Sequence, residues 1–484
     1  MNIRSFVTAR PYLVAVLAIV LLAHIGSYGY VAHLASNNRE AAQYPLLKGD
    51  SETYATLANS LLMRHTFERN QGEPERHWAP GYSFFLAIVG KIAMGNQHAS
   101  FVLVVLIQIA LALVAVALIY AMTRRFLNSV WSALPALLFG VDPNVVLANT
   151  TILSDGLFAS LLVIVIYVAL FYETRRSFLR WGMVGLTLGL LTLIRPIAQF
   201  LVPMIAFAII AAEFKHFRFN FKQYALPVAM YVVVAIFVLA PWLYWYHHKF
   251  GSYEIAHVGA SNLLYYNARD FLAWKEMDTD RSVPAILASR YREDPAYKKV
   301  SSEIWIELNE MTPKGEDIQN YEGKLAAQLI MQDPLRYAYF HAVNTVPYFL
   351  GSSVAAYEQV VVQVRDNKGY FAPTALVLID ALKQLGAGDW REATRAIKVV
   401  APLGLEMGFW TLMVFFALVA TWRGRRDYRV VLFALLIAYF AALTGPVSIA
   451  RYRIPSEPYL LILAALGAHA TLSYIYERRH RHLT

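Results

Sequence analysis

Charged residues are scarce in this chain, and those with the means to do chemistry stand at the ends of apolar runs. Gly49-Asp50-Ser51-Glu52-Thr53-Tyr54 follows the first such run. Beyond it Tyr54, Leu57, Ala58, Leu61 and Leu62 fall at i, i+3, i+4, i+7 and i+8, the spacing of one helix face. Asp50 then opens the helix and shares a face with Tyr54, while Glu52 projects on the other side. A carboxylate in that position either caps the helix and suits its dipole or accepts a proton from a bound group. Leu153-Ser154-Asp155-Gly156 carries the same ambiguity, with Ser154 or Asp155 available to cap the next span. His77-Trp78-Ala79-Pro80-Gly81-Tyr82 makes a turn into a helix start, with Trp78 and Tyr82 as interfacial anchors. Arginines occupy two short turns, Arg195-Pro196 and Arg451-Tyr452-Arg453. A guanidinium there either snorkels to the interface or makes paired contacts with an anion. His65, His77, His247, His248 and His257 have no diagnostic ligand spacing. They leave a divalent metal open without requiring one, and no other cofactor is called for.

The element that must position these groups is a membrane. Of 484 residues 58% are hydrophobic and 16% charged, against about 25% charged in soluble domains. Backbone groups in lipid find no water, so spans are helices or closed barrels, and long non-alternating apolar runs exclude the barrel. The expected fold is therefore an all-α polytopic membrane protein. A span needs about 20 apolar residues, and the runs are 11–33, 99–122, 131–148, 157–173, 182–213, 225–246, 399–420, 430–446 and 457–475. Arg195-Pro196 interrupts 182–213, because proline breaks a helix and a mid-membrane charge is costly. Two short spans meeting at that turn bring the total to about ten. The first run is too long for a signal-peptide core and lacks a small-residue cleavage site, so it is expected to be retained. No cysteine is present, which removes disulfides and thiolate metal sites.

The basic clusters are Arg124-Arg125, Arg175-Arg176 with Arg180, Lys215-Arg218-Lys222, Arg423-Arg425-Arg426 and Arg478-Arg479-Arg481. All fall on one side if the N-terminus is cytoplasmic and 80–95 lies along the surface as a juxtamembrane helix. The net charge of +10 is accounted for by that pattern, and nucleic-acid binding is not expected. Two outer regions, 34–98 and about 247–398, and two outer turns, 149–156 and 445–456, then gather the polar residues on the extracytoplasmic face. Within the larger region 337–356 and 371–382 are apolar enough to dip into the interface. No internal repeat supports a transporter built from inverted halves.

In this order, an acid after the first span, an amphipathic helix, Pro80-Gly81-Tyr82, Leu153-Ser154-Asp155, Arg195-Pro196 and Arg451-Tyr452-Arg453-Ile454-Pro455 before a last span resemble GT-C-type integral-membrane glycosyltransferases. The nearest likeness is to the group of protein O-mannosyltransferases and of the bacterial enzymes that add aminoarabinose to lipid A. It covers 44–200 and 445–468, and departs from the pattern at Ala79, where a proline is usual. The resemblance implies a polyprenyl-phosphate-linked sugar donor, transfer at the extracytoplasmic face to a lipid, glycan or protein, and inversion at the anomeric carbon. It places Asp50 as the base and Asp155 as a second acid across the site. Glu52, Tyr54, His77 and Tyr82 fall to positioning of acceptor or sugar, with Glu52 also a metal ligand by analogy. The lipid phosphate leaving group would fall to Arg453, with Arg451, Arg195 and, more remotely, Arg269 as partners.

The expected organisation is a transmembrane catalytic module with its first loop (1–246), a large extracytoplasmic loop region (247–398) and C-terminal spans (399–484), in a plasma or bacterial inner membrane. Two other classes compete. A transporter or lipid flippase requires polar groups within several spans, of which Gln108 and Gln199 are the main examples. A non-catalytic assembly protein requires no convergence of acids and arginines. Whether Asp50, Asp155 and Arg453 share one cavity separates these readings.

Overall fold

Long apolar runs fold here as helices, which satisfy each backbone group within one segment. The computed structural model describes residues 10–37, 44–47, 49–172, 177–206, 221–281, 285, 293–311, 318–366 and 390–481. The basic residues Arg175, Arg176, Lys215 and Arg218, the end of the 182–213 run and the stretch 371–382 lie outside the described residues.

Among the described residues, six helices are long and apolar enough to span a bilayer, or seven if one bent pair is a single span. They include α1 (Pro11–Ser36), which precedes the surface helices α2 (Asp50–Arg64) and α3 (Pro80–Ile92), and α4 (Gln97–Thr123). The bent pair is α5 (Ser129–Val141) and α6 (Pro143–Thr150), which meet at 54°. The straight span expected over 131–148 is thus broken, because Pro143 disfavours helix at Asp142. Asp142 restarts it by accepting from Asn144 N at 2.8 Å and Val145 N at 3.3 Å. Two shorter apolar helices follow, α7 (Ser154–Leu170) and α8 (Ser177–Ile194). Arg195 is extended (φ −144°, ψ 118°), and Pro196–Phe200 turns into a further short apolar helix ending at Ala206. α3 has 13 residues, about 20 Å, which is too short to cross.

Span α9 (Phe221–Phe250) leads to the second loop region, α10 (Val258–Asn262), a π turn at Leu263–Ala268, α11 (Arg269–Arg281), α12 (Pro295–Met311), α13 (Ile318–Met331), α14 (Pro334–Asn344), α15 (Val346–Leu350) and α16 (Ser353–Asp366). This region has its own apolar core, which includes Phe271, Trp274, Met277, Ile304 and Phe340. Spans α17 (Trp390–Arg423), α18 (Tyr428–Thr444) and α19 (Glu457–Arg481) complete the chain. They share one core with the earlier spans, for example through Phe158 against Phe440 at 6.2 Å. The one sheet among the described residues is a hairpin, Glu68–Asn70 with Glu73–Pro74.

Helix association in lipid depends on close backbone approach rather than on hydrophobic driving force. Gly185 and Gly189 supply that approach on α8. A Cβ on Gly185 would lie 2.4 Å from Tyr231 O and 2.9 Å from Tyr231 Cα on α9, and backbone cannot yield. Gly182, one turn away, faces only the flexible end of Met230 at 3.7 Å. Gly185→Val is therefore expected to lower stability by about 1–3 kcal/mol, and Gly182→Ala to leave it unchanged or higher. Thermal unfolding of the two purified variants in detergent separates these outcomes.

Candidate functional site

Three elements are bolted together around the start of α2. Ser51 Oγ donates to Ile152 O at 2.7 Å, Tyr44 Oη to Thr150 O at 2.9 Å, and Ile152 N to Pro45 O at 3.1 Å. Tyr54 Oη meets Ser154 Oγ at 3.2 Å. These bonds hold the N-terminus of α2 against the α6–α7 turn, so Asp50 comes beside Asp155. The end of α8 is brought in by Gly81. A Cβ there would sit 2.6 Å from Leu193 C and 2.7 Å from Ile194 N, so α3 packs directly on the backbone that precedes Arg195. Tyr439 of α18 donates to Ile197 O and ties the last spans to the same turn.

Four charges converge as a result. Asp155 is fully buried. Its Oδ1 accepts from Arg195 Nη1, and its Oδ2 accepts from Arg451 Nε at 3.0 Å and Nη2 at 2.6 Å. Arg451 Nη2 also donates to Asp50 Oδ2 at 2.9 Å. Burial opposes the charge on Arg451, but Asp155 and Asp50 outweigh it and raise its pKa well above the ordinary arginine value. Asp50 is the open member, with its side chain 41% exposed against 26% for Arg451 and 22% for Arg195. The Arg195 guanidinium also lies 5.9 Å from the rings of Phe158 and Tyr452.

Neither acid is a helix cap. Gly49, at φ +88°, precedes α2, and Glu52 turns back to accept from Gly49 N at 3.3 Å. Capping by Glu52 leaves the Asp50 carboxylate free for Arg451. The residue before α7 is Leu153 and no side chain caps that helix, so Asp155 is given over to its two arginines.

Of Asp50, Asp155 and Arg453, expected in one cavity, only the two acids come together, with Arg451 in the place expected of Arg453; other expected positions also separate from the cluster. Arg453, two residues beyond Arg451, is fully buried. Its Nη1 donates to the carbonyls of Tyr348, Phe349 and Gly351 at 3.1–3.3 Å, Nη2 to Ser353 Oγ at 3.1 Å and Nε to Glu457 Oε2 at 3.3 Å. Its guanidinium carbon lies 3.5 Å from the Trp410 ring centroid. A guanidinium with every nitrogen engaged and no exposure cannot receive a phosphate, so Arg453 is a strut between the 450–453 turn, α15–α16 and α17. Tyr82 is likewise buried rather than interfacial. It donates to Gln108 Oε1 at 2.8 Å, and Gln108 donates to the carbonyls of Asn149 and Thr151. Tyr54 stands between the two sets, edge-on to Trp78 and Tyr82, and burial pushes its phenol up to about 12. Glu52 lines a separate open groove of about 790 Å³ between α2, α3 and the start of α4, with Thr56, Asn59, Arg69 and Gln97.

His77 lies at a seam between the two loop regions. His257 N donates to Arg76 O at 3.0 Å and Val258 N to His77 O at 3.2 Å. Burial lowers the pKa of His77, so its imidazole is neutral at neutral pH. Beside the seam is a polar cluster that the sequence does not announce. His257 Nε2 meets Glu322 Oε2 at 3.0 Å, and Ser261 and Tyr265 donate to the same carboxylate. Burial opposes charge on His257, but Glu254 and Glu322 raise its pKa to about 9. His247 stacks on Tyr253 at 4.1 Å and His248 on Tyr244 at 6.5 Å. Arg269 pairs with Asp270 and lies over Tyr265 and Tyr297. Among the described residues no three His, Asp or Glu side chains are arranged to hold a metal ion.

Comparison with known proteins gives one family match, over part of the chain. Residues 77–245 match the model of a family described as dolichyl-phosphate-mannose-protein mannosyltransferase. That group is the one the motifs at 44–200 and 445–468 resemble. No curated protein sequence matches the chain. Among solved structures, the Archaeoglobus fulgidus oligosaccharyltransferase in its apo form is 12% identical, with 97% of this chain and 52% of that one covered and a TM-score of 0.49. ArnT from Cupriavidus metallidurans is 14% identical in its apo state, with 91% and 76% covered and a TM-score of 0.35. The chain spans about half the length of the oligosaccharyltransferase chains it matches.

Two expected outcomes follow from the charges. Asp155→Asn leaves Arg195 without its carboxylate and Arg451 with Asp50 alone, and costs about 3–5 kcal/mol, whereas Asp50→Asn, at the open edge, costs about 0–1 kcal/mol; thermal midpoints of the two variants give the order. His257 gains a partner on folding, so its contribution is full below its ordinary value of 6.5 and is lost as pH rises through about 9. The stability gap between wild type and Glu322→Gln therefore narrows over that alkaline interval, and a constant gap would remove the ion pair as its source.

Proposed function

We propose that the protein is a membrane glycosyltransferase that moves a sugar from a polyprenyl-phosphate donor to a hydroxyl of a lipid, glycan or protein acceptor, with inversion. The observation that carries this reading is the placement of Asp50, a half-open carboxylate 2.9 Å from Arg451, beside two arginines that are fixed by one buried acid. The acceptor oxygen attacks the anomeric carbon while its proton passes to Asp50. The bond from that carbon to the phosphate oxygen breaks, and its electron pair leaves on the lipid phosphate. One displacement from the face opposite the leaving group inverts the centre. Arg451 and Arg195 meet the growing phosphate charge, and fixed cations in a water-poor site stabilise it more than solvent does. Asp155 holds both guanidiniums in register. Tyr54, protonated throughout, orients the carboxylate side of the site through Ser154.

The family matched over 77–245 supports both the donor class and the reaction type. The basic clusters support a cytoplasmic N-terminus and a site on the extracytoplasmic face of a plasma or bacterial inner membrane. The three-part division at 246 and 398 remains our assignment, with the first and last parts forming one membrane body. A transporter would need polar groups free within the spans, and Gln108 is instead committed to Tyr82 and two carbonyls.

Purified protein in liposomes, offered radiolabelled polyprenyl-phosphate sugars with membrane extract as acceptor, tests the assignment. Asp50→Asn is expected to reduce transfer by about 10²–10⁴-fold while donor binding persists. Arg451→Gln is expected to weaken donor binding itself. Transfer by Asp50→Asn equal to wild type would remove Asp50 as the base.

A further inference from the structure

α14 carries a face that the protein itself leaves uncovered. Leu335, Ala338, Tyr339, Ala342 and Val346 are exposed, at the spacing of one helical stripe that continues into α15. Leu335 is 85% exposed and Tyr339 57%. No charged residue lies on the stripe. The opposite face is fully engaged. Phe340 packs on Phe271 and Trp274 at 5.7 and 5.5 Å, Tyr337 Oη donates to Asn267 Oδ1 at 2.9 Å, and Arg336 pairs with Asp278.

The height of this helix is fixed by its C-terminal end. The C-terminal half of α14 packs on the Gly445–Val447 turn that follows span α18. Gly445, the next residue after α18, lies so close that a Cβ there would fall 2.2 Å from His341 Nε2. Leu443 and Ile449, on either side of that contact, are themselves exposed. The uncovered stripe thus lies on a helix docked at the end of an apolar span, where that span also exposes apolar side chains.

We propose that α14 lies flat in the interfacial layer of the bilayer, with Leu335, Tyr339 and Val346 toward the acyl chains, so that lipid anchors the second loop region directly. Lipid is the occupant because the stripe adjoins apolar side chains exposed at the end of an apolar span, and because an amphipathic aromatic sits at that level. Leu335 is six residues from His341, about 9 Å along the axis. The interfacial layer is about 5–7 Å deep on each side, so an upright helix would carry Leu335 into water and a flat one keeps it in the layer.

The chain has no cysteine, so single-cysteine variants report directly. Ala338→Cys, Ala342→Cys and Glu293→Cys, the last 93% exposed in the same region, are spin-labelled in the full-length protein in liposomes. Collision with oxygen is compared with collision with a water-soluble nickel chelate. The expected result is severalfold protection from nickel at both 338 and 342 relative to 293, with raised oxygen access. Nickel access at 338 and 342 equal to that at 293 overturns the proposal. Protection at 342 alone also overturns it, in favour of an upright helix. Protection that disappears on dilution with unlabelled protein or added lipid overturns it in favour of a second copy as the occupant.

Discussion

A carboxylate that water does not reach persists as an anion only when cations are fixed around it, and Asp155 has two. Each comes from a break in helical structure, Arg195 from the interruption before Pro196 and Arg451 from the turn between α18 and α19. Much of the local architecture exists to keep those breaks within reach. Glycine at position 81 lets α3 press on the backbone before Arg195, and Tyr439 pulls α18 toward the residue after Pro196. Ser51 and Tyr44 hold the start of α2 on the α6–α7 turn. Removal of the acid would leave two largely enclosed cations with only Asp50, on Arg451, to offset their desolvation cost.

A second buried ion pair, Arg453 with Glu457, does different work. It is enclosed by carbonyls of α15 and its C-terminal flank and by the Trp410 ring, and it fixes the turn from behind while Arg451 faces the acids. Two positions of one short 3₁₀ turn thus separate a structural guanidinium from one that remains partly open.

The helical, membrane-embedded class was legible in the sequence because lipid forces a simple rule, that long uncharged runs must be helices, but the expected count of about ten spans stands against six or seven helices of spanning length among the described residues. The interruption at Arg195-Pro196 was legible for the same reason. The break at Asp142 carries the same signal, a charge followed by a proline within the 131–148 run, and only the rest of that run's hydropathy argues for a straight span. The convergence of Asp50 and Asp155 followed from order along the chain and a family likeness. The choice between Arg451 and Arg453 did not, because both are arginines in one turn and only the packing of α15–α17 distinguishes them. Glu457, four residues after Arg453, was a visible i,i+4 partner. Glu322 gave no local signal at all: it meets His257 across 65 residues.

Asp50, Asp155, Arg195 and Arg451 carry two negative and two positive charges, and they cancel. A neutral quartet projects little field beyond its own diameter, whatever charge each member holds. On the function proposed here, the donor's anionic headgroup would therefore gain little steering from this quartet at a distance. It would meet the arginines on contact, after diffusing in the plane of the leaflet. Encounter in such a site is a matter of two-dimensional traffic in the lipid and of the shape of the entrance, and ionic strength in the surrounding water has little purchase on it.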